Sequence, residues 1–243
     1  MAEGGVQTEA NKDHMESDAA LVLFARAPAP GETKTRLIPA LGAEGAAELY
    51  RCFLLDALAS ASEAPAAVMV AASDPNQMEA VRALAAEGCP RAVVTAQSGG
   101  DLGARMAHAF RKAFAQGHQR VVILGTDLPG LPPERVRQAL ELLRERRLVL
   151  GPCEDGGYYL IGLRALLPQL FEQMEWGGGT VLADTQRRAE SLGVSMALLD
   201  PWSDVDTPQD LEALRAHLAA RSRAGEPISC PRTWRHLCQE TRG

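Results

Sequence analysis

Asp127 closes a run of apolar residues, Val121 to Leu124, followed by Gly125 and Thr126. Three of the four are β-branched, so the run reads as a buried strand. A carboxylate at the end of such a strand is costly for folding unless it has a partner or a task. In a parallel α/β sheet, ligands bind just beyond the carboxyl ends of the strands. Asp127 therefore stands where an acid can hold a metal ion on a phosphorylated substrate. Pro132 and Pro133 follow, placed to open a helix.

A second acid pair, Asp204 and Asp206, lies in WSDVDTPQDL, just ahead of a helix capped at Thr207 with Pro208 at its first position. In an extended segment, residues two apart share a face. Paired carboxylates suit a hard cation such as Mg²⁺, which binds through one or two carboxylates plus substrate phosphates. The competing reading makes Asp206 or Thr207 a simple helix cap.

The basic counterpart is PAPGETKTRL, Pro28 to Leu37, with Gly31, Lys34, Thr35 and Arg36 after a first strand ending at Arg26. Such a loop offers backbone N–H groups and charge to an anion. It is neither a Walker A loop, since Thr33 stands where glycine must precede the lysine, nor a dinucleotide fingerprint, since GxGxxG is absent. The plainer reading is a solvated basic turn.

Two further loops carry polar residues. In QSGGDLGARM, Asp101 either caps the next helix or accepts hydrogen bonds from a ribose or base, and Arg105 lies one turn later. In GPCEDGGYYLIGL, Asp155 precedes Gly156 and Gly157, which leave bare backbone for a ligand or form a tight hairpin turn. Cys153 reads as a small packed residue. His14, His108, His118, His217 and His236 all fall outside these loops, which disfavours a histidine acid–base or zinc site.

These loops need a frame. Strand-like runs are expected at Ala19–Arg26, Ala66–Ser73, Arg91–Gln97, Val121–Thr126, Leu148–Pro152, Tyr158–Leu163 and Val194–Leu199. Helices are expected at Gly42–Ala61, Met78–Glu87, Leu102–Gln116, Pro133–Arg147, Leu166–Met174 and Thr180–Leu192, and from Thr207 to about Ala220. Strands alternating with helices predict a three-layer α/β/α domain on a mostly parallel sheet over 19–222. Residues 1–18 read as a disordered tail, and 223–243 as an unassigned one. In a parallel sheet the polar residues after each strand gather along one edge.

Composition sets the outer bounds. A chain of 243 residues, 46% hydrophobic and 23% charged, can bury one good-sized core. Its net charge of −6 argues against a non-specific nucleic-acid binder. No apolar run approaches the ~18 residues that span a bilayer, so no membrane partner is expected. The start of the chain lacks a signal pattern, and five cysteines without a CxxC pair read as reduced thiols, which places the protein in the cytoplasm.

Taken together, FARAPAPGETKTRL, LLDALA, DLGARM, LGTDLPGL, LGPCEDGGYYLIGL and DVDTPQDL span Phe24 to Leu211 in order. The set resembles the rSAM/selenodomain-associated transferase 1 family, a former domain of unknown function with the nucleotide-diphospho-sugar transferase (GT-A) fold. Arg26 stands where that family more often has lysine. The family is similar to 2-phospholactate guanylyltransferases and molybdenum-cofactor nucleotidyltransferases, although the glycine-rich LxGGxSxRxG loop of the latter is missing. The resemblance implies Mg²⁺ held by Asp127 and Asp206; the loops themselves add Asp204 or Asp155 as assisting acids, with Mn²⁺ an equally suitable ion. Lys34 and Arg36 would grip donor phosphates, and Asp101 and Arg105 would orient donor or acceptor. The expected activity is a metal-dependent transferase using a nucleotide-activated donor on a small-molecule acceptor. Transfer from an NDP-sugar is favoured because the glycine loop is missing and some family members are labelled glycosyltransferases. Guanylyltransferase-like nucleotidyl transfer is the alternative, and a non-catalytic nucleotide-binding protein is the third reading.

Overall fold

A computed structural model describes residues 18–240. Seven strands form one sheet in the order β3-β2-β1-β4-β6-β5-β7. They are β1 (Ala19–Ala25), β2 (Ala67–Ala72), β3 (Val93–Ala96), β4 (Arg120–Gly125), β5 (Leu148–Pro152), β6 (Tyr158–Leu163) and β7 (Met196–Leu198). All are parallel except β6, which runs antiparallel to both β4 and β5 and forms a hairpin with β5. The expected mostly parallel sheet is thus present, and the acidic Gly-Gly turn is the hairpin's tip.

Alternation along β1 divides the core. Ala19, Leu21 and Leu23 face one side, where α1 (Ile38–Ser62), α2 (Met78–Gly88), α4 (Pro133–Leu142), α6 (Pro208–Arg223) and α7 (Pro231–Glu240) pack. Ala20 and Val22 face the other, against α3 (Leu102–Ala115) and α5 (Val181–Ser191). A sheet buried on both faces needs continuous apolar strands, and β1 and β4 are such strands. Both faces being covered makes this the expected α/β/α sandwich.

Several expected boundaries move. The helix expected at Leu166–Met174 reduces to a 3-10 turn, Pro168–Leu170. Its neighbouring carbonyls are taken by Arg188 of α5, which donates to those of Gln169, Glu172 and Gln173. Those acceptors are therefore engaged outside any helical ladder. Helix α4 stops at Leu142, so Arg144, Arg146 and Arg147, inside the expected helix, lie beyond it. Helix α1 opens at Ile38 but breaks at Gly42, whose φ of 72° is outside helical space. The expected tail 1–18 lies outside the described residues except for Asp18. Its carbonyl accepts from the N–H groups of Gln119 and Arg120, and its carboxylate pairs with Arg120 at 2.6 Å. The segment 223–240, unassigned from sequence, contains α7, which lies on α1 with Leu237 buried.

Candidate active site

The site forms where β1 and β4 end side by side. Thr126 Oγ1 donates to the Phe24 carbonyl at 3.1 Å, and the Tyr50 hydroxyl of α1 lies 2.8 Å from Thr126 Oγ1. That hydroxyl also accepts the N–H of Arg26 at 3.1 Å. Burial, then the nearby Asp127 charge, push the Tyr50 phenol upward, so it stays protonated as a donor. Three elements are thereby locked at one point, and Arg26 and Asp127 emerge from it on adjacent strands.

The basic loop is shaped by Thr33, a buried hydroxyl that donates to the Ala27 carbonyl and accepts from the Ala29 N–H. Gly31 turns the loop at φ 82°. Lys34 then adopts a left-handed conformation, φ 50° and ψ 46°, which non-glycine residues rarely occupy away from functional or tightly determined sites. The result sends its ammonium inward. Nζ lies 2.7 Å from Asp206 Oδ1 and 3.0 Å from Asp127 Oδ1, with the side chain only 5% exposed. It also sits 5.9 Å above the Phe53 ring.

Asp206 reaches this point because the late segment is stitched to the sheet edge. Trp202 donates its N–H to the Pro152 carbonyl at 3.0 Å, and Val205 donates to the Asp127 carbonyl at 3.1 Å. Thr207 and Asp210 form the capping box of α6. Capping is therefore done by Thr207, which leaves the Asp206 carboxylate to the site.

Two cavities meet at Arg26 and Asp127. One, of about 200 Å³, is lined almost wholly by polar side chains, among them Arg26, Lys34, Thr35, Arg36, Asp127 and Asp206. The other, of about 380 Å³, runs over the strand ends. Ser73, Gln97 and Arg105 lie along it, with Cys153, Asp155, Gly157, Tyr159 and Asp204. Among the described residues no histidine lines either cavity. The polar residues that follow six different strands do gather on one edge, as a parallel sheet requires.

Some expected site residues sit elsewhere. Asp101 caps α3, accepting the Ala104 N–H at 2.7 Å, and does not line the cleft, whereas Arg105 does. Asp204 and Asp206 do not share one cavity. Asp206 joins Lys34 in the basic cavity, and Asp204 faces the larger one beside Asp155. Burial, then Asp206 and Asp155, push the Asp204 carboxyl up to about 6. Gly156, at φ 85°, is required by the chain itself: a Cβ there would lie 2.0 Å from the Gly179 carbonyl oxygen. Gly157 does line the cleft, and its N–H is held by Asp155 Oδ1 at 2.8 Å. Cys153 is a half-buried thiol pushed up to about 12, first by loss of solvent and then by neighbouring acids, so it is no nucleophile.

Sequence reasoning missed Tyr50, Thr126 and Trp176. Tyr50 falls at helical spacing with Phe53, Leu54 and Ala57, so pattern alone makes it one more apolar residue of the expected helix. Trp176 lines the cleft and packs on Gly103 of α3, where any Cβ would meet its ring at 2.5 Å. The WGGG stretch and the isolated Gly103 were the available signals.

Comparison with known proteins agrees with this architecture. The family model described as "Uncharacterized protein conserved in bacteria (DUF2064)" matches residues 54–178. A curated 3-phospho-D-glycerate guanylyltransferase of Phenylobacterium zucineum (strain HLK1) is 31% identical, over 73% of this chain and 81% of its own length. A crystal structure of a candidate nucleotide-diphospho-sugar transferase from Desulfovibrio desulfuricans G20 superposes with a TM-score of 0.84 at 34% identity. It covers 93% of this chain and 96% of that one. A CMP:2-keto-3-deoxy-manno-octonic acid synthetase complexed with CTP shares the fold at TM-score 0.55 and 18% identity, over 84% of this chain and all of the other. The chain therefore belongs to the DUF2064 family, as its ordered motifs indicated, and is a transferase on the nucleotide-diphospho-sugar transferase fold.

Proposed function

We propose that the protein is a nucleotidyltransferase that joins a nucleoside monophosphate, GMP foremost, to a phosphorylated small molecule and releases pyrophosphate. The observation that carries this reading is the polar cavity beside Asp127, where Arg26, Lys34 and Arg36 converge with Thr35. Three cations around a space of that size suit a di- or triphosphate. The 31% identical guanylyltransferase supports nucleotidyl over sugar transfer, reversing the preference drawn from the missing glycine loop.

In the proposed step an acceptor phosphate oxygen attacks the α-phosphorus. The new P–O bond forms as the α–β bridging P–O bond breaks, and pyrophosphate carries away the electron pair. A phosphate monoester is largely ionised at neutral pH, so this attack needs no general base. That accords with a cleft in which, among the described residues, no histidine appears. Arg26 and Arg36 hold the donor phosphates and counter charge on the departing pyrophosphate. The larger cleft, with Arg105, Asp155 and Gly157 on its walls, takes the remainder of donor and acceptor.

The acids at the junction also suit Mg²⁺ or Mn²⁺. Asp127 and Asp206 already share one cation, the Lys34 ammonium, through one oxygen each, and all-oxygen donors are the set these ions take. Asp127 and Asp206 would hold the ion, with Asp204 nearby. When bound, it would neutralise phosphate charge.

A panel of nucleoside triphosphates and NDP-sugars, each with Mg²⁺ or Mn²⁺, tests the reading by thermal shift. Pyrophosphate release is then followed with 3-phosphoglycerate and related phosphorylated acids. GTP should raise the melting temperature and support pyrophosphate release. Stabilisation by NDP-sugars alone, with no pyrophosphate from any triphosphate, would overturn it.

A further inference from the structure

Two carboxylates that are expected to share a metal ion share a lysine instead. Lys34 Nζ touches Asp206 and Asp127 at 2.7 and 3.0 Å, and its side chain is 5% exposed although the two acids are about 40% exposed. The contact is built. A left-handed backbone at Lys34, the buried Thr33 anchor behind it and the Phe53 ring beneath the ammonium all direct that side chain inward.

We propose that Lys34 is the resident counter-ion of this acid pair. It keeps Asp127 and Asp206 closed to divalent cations in the free protein and gives them up only when donor phosphates enter. An ammonium and a divalent ion repel strongly at contact distance and compete for the same two oxygens. Mg²⁺ and its analogues also give up water reluctantly and bind through few carboxylates plus phosphate oxygens. An acid pair whose charge a lysine already halves, and whose inward oxygens it already holds, is a poor site for them. A polyphosphate changes both sides of that balance. It enters the cavity that Arg26, Thr35 and Arg36 line beside Lys34, offering the ammonium a new anion and a metal new oxygens. Free metal would thus be excluded, and the ion would arrive with the nucleotide.

The phosphate half of the proposal rests on the donor reading above, and the metal half does not. Full-length protein stripped with chelator is titrated with Mn²⁺ alone, and free Mn²⁺ is read by electron paramagnetic resonance. Lys34→Met should bind Mn²⁺ at least tenfold more tightly than wild type. Lys34→Arg, which keeps the charge, should not, and adding Asp206→Asn to Lys34→Met should remove the gain. The same Lys34→Met protein should bind GTP more weakly without metal, so one substitution moves two ligands in opposite directions. Circular dichroism melts within a few degrees of wild type establish that the variants fold; if Lys34→Met does not, Lys34→Gln takes its place. Lys34→Met binding Mn²⁺ no more tightly than wild type overturns the proposal. Because that titration contains no nucleotide, failure of the nucleotidyl reading would show separately, as absent pyrophosphate release.

Discussion

Asp127 and Lys34 were legible from residue type and position: an acid after an apolar run, and a lysine in a Gly-Thr loop. Their direct contact was not, because nothing in the spacing of two residues ninety-three apart says that they touch (127 − 34). Tyr50 was invisible for a different reason, since periodicity assigns it to the core and is silent on its hydroxyl. That hydroxyl is the shared support of the site. Tyr50→Phe leaves the Arg26 N–H without its acceptor and Thr126 with only its bond to the Phe24 carbonyl. A buried unsatisfied group costs about 1–3 kcal/mol, so urea unfolding should register a loss of that order. An unchanged midpoint would show that the network does not support the fold. Asp127→Asn should leave the melting temperature within a few degrees while lowering turnover on the order of a hundredfold, the scale of losing one transition-state electrostatic contact. Retained turnover would remove Asp127 from the chemistry.

Elements were legible where their own periodicity decides them and obscure where a distant side chain does. The strands, α3 and the capping box of α6 follow from local pattern. The stretch after Leu166 does not, because Arg188 occupies its carbonyls and Gly103 and Gly156 admit its backbone and its tryptophan. The segment 176–180 is thus joined to the β5–β6 hairpin through Gly156 and to α3 through Gly103, and together they wall the cleft. Gly156→Ala places a methyl carbon 2.0 Å from the Gly179 carbonyl oxygen at a backbone φ of 85°. The left-handed conformation alone costs about 1–2 kcal/mol, and the clash must be relieved by moving one segment off the other. The expected result is a lower melting temperature and a red-shifted tryptophan emission as Trp176 loses its packing on Gly103. Wild-type emission and stability would show that the two segments are not coupled.

At the scale of the molecule, −6 net charge and the α/β alternation indicated one domain without a general polyanion surface, and a single seven-stranded sheet bears out the fold. The C-terminal segment escaped that reading because it is held by a carboxylate far away in sequence. Asp56 of α1, 4% exposed, accepts the N–H groups of Arg232 at 3.1 Å and Thr233 at 2.9 Å, capping α7 from outside its own helix. Helix α7 in turn buries Thr233 and Leu237 on the face opposite α3. Just before α7, Ser229 Oγ donates to the Gly130 carbonyl at 2.9 Å, so the segment after Asp127 is tied to the same latch. Burial raises the Asp56 carboxyl above its ordinary range despite those two donors. A raised folded value means that the folded state holds the proton more tightly. Asp56 therefore contributes most stability below its unfolded value, about 4, and that contribution is lost as pH rises through the folded value. Asp56→Ala should then destabilise at every pH by about 1–3 kcal/mol, because two amide donors lose their acceptor. The loss should be larger at pH 4 than at pH 8, and nucleotide binding should persist in the variant that remains folded. Equal losses at both pH values in urea titrations would show that the carboxyl does not titrate differently in the folded state. No loss at all would show that α7 holds by apolar packing alone.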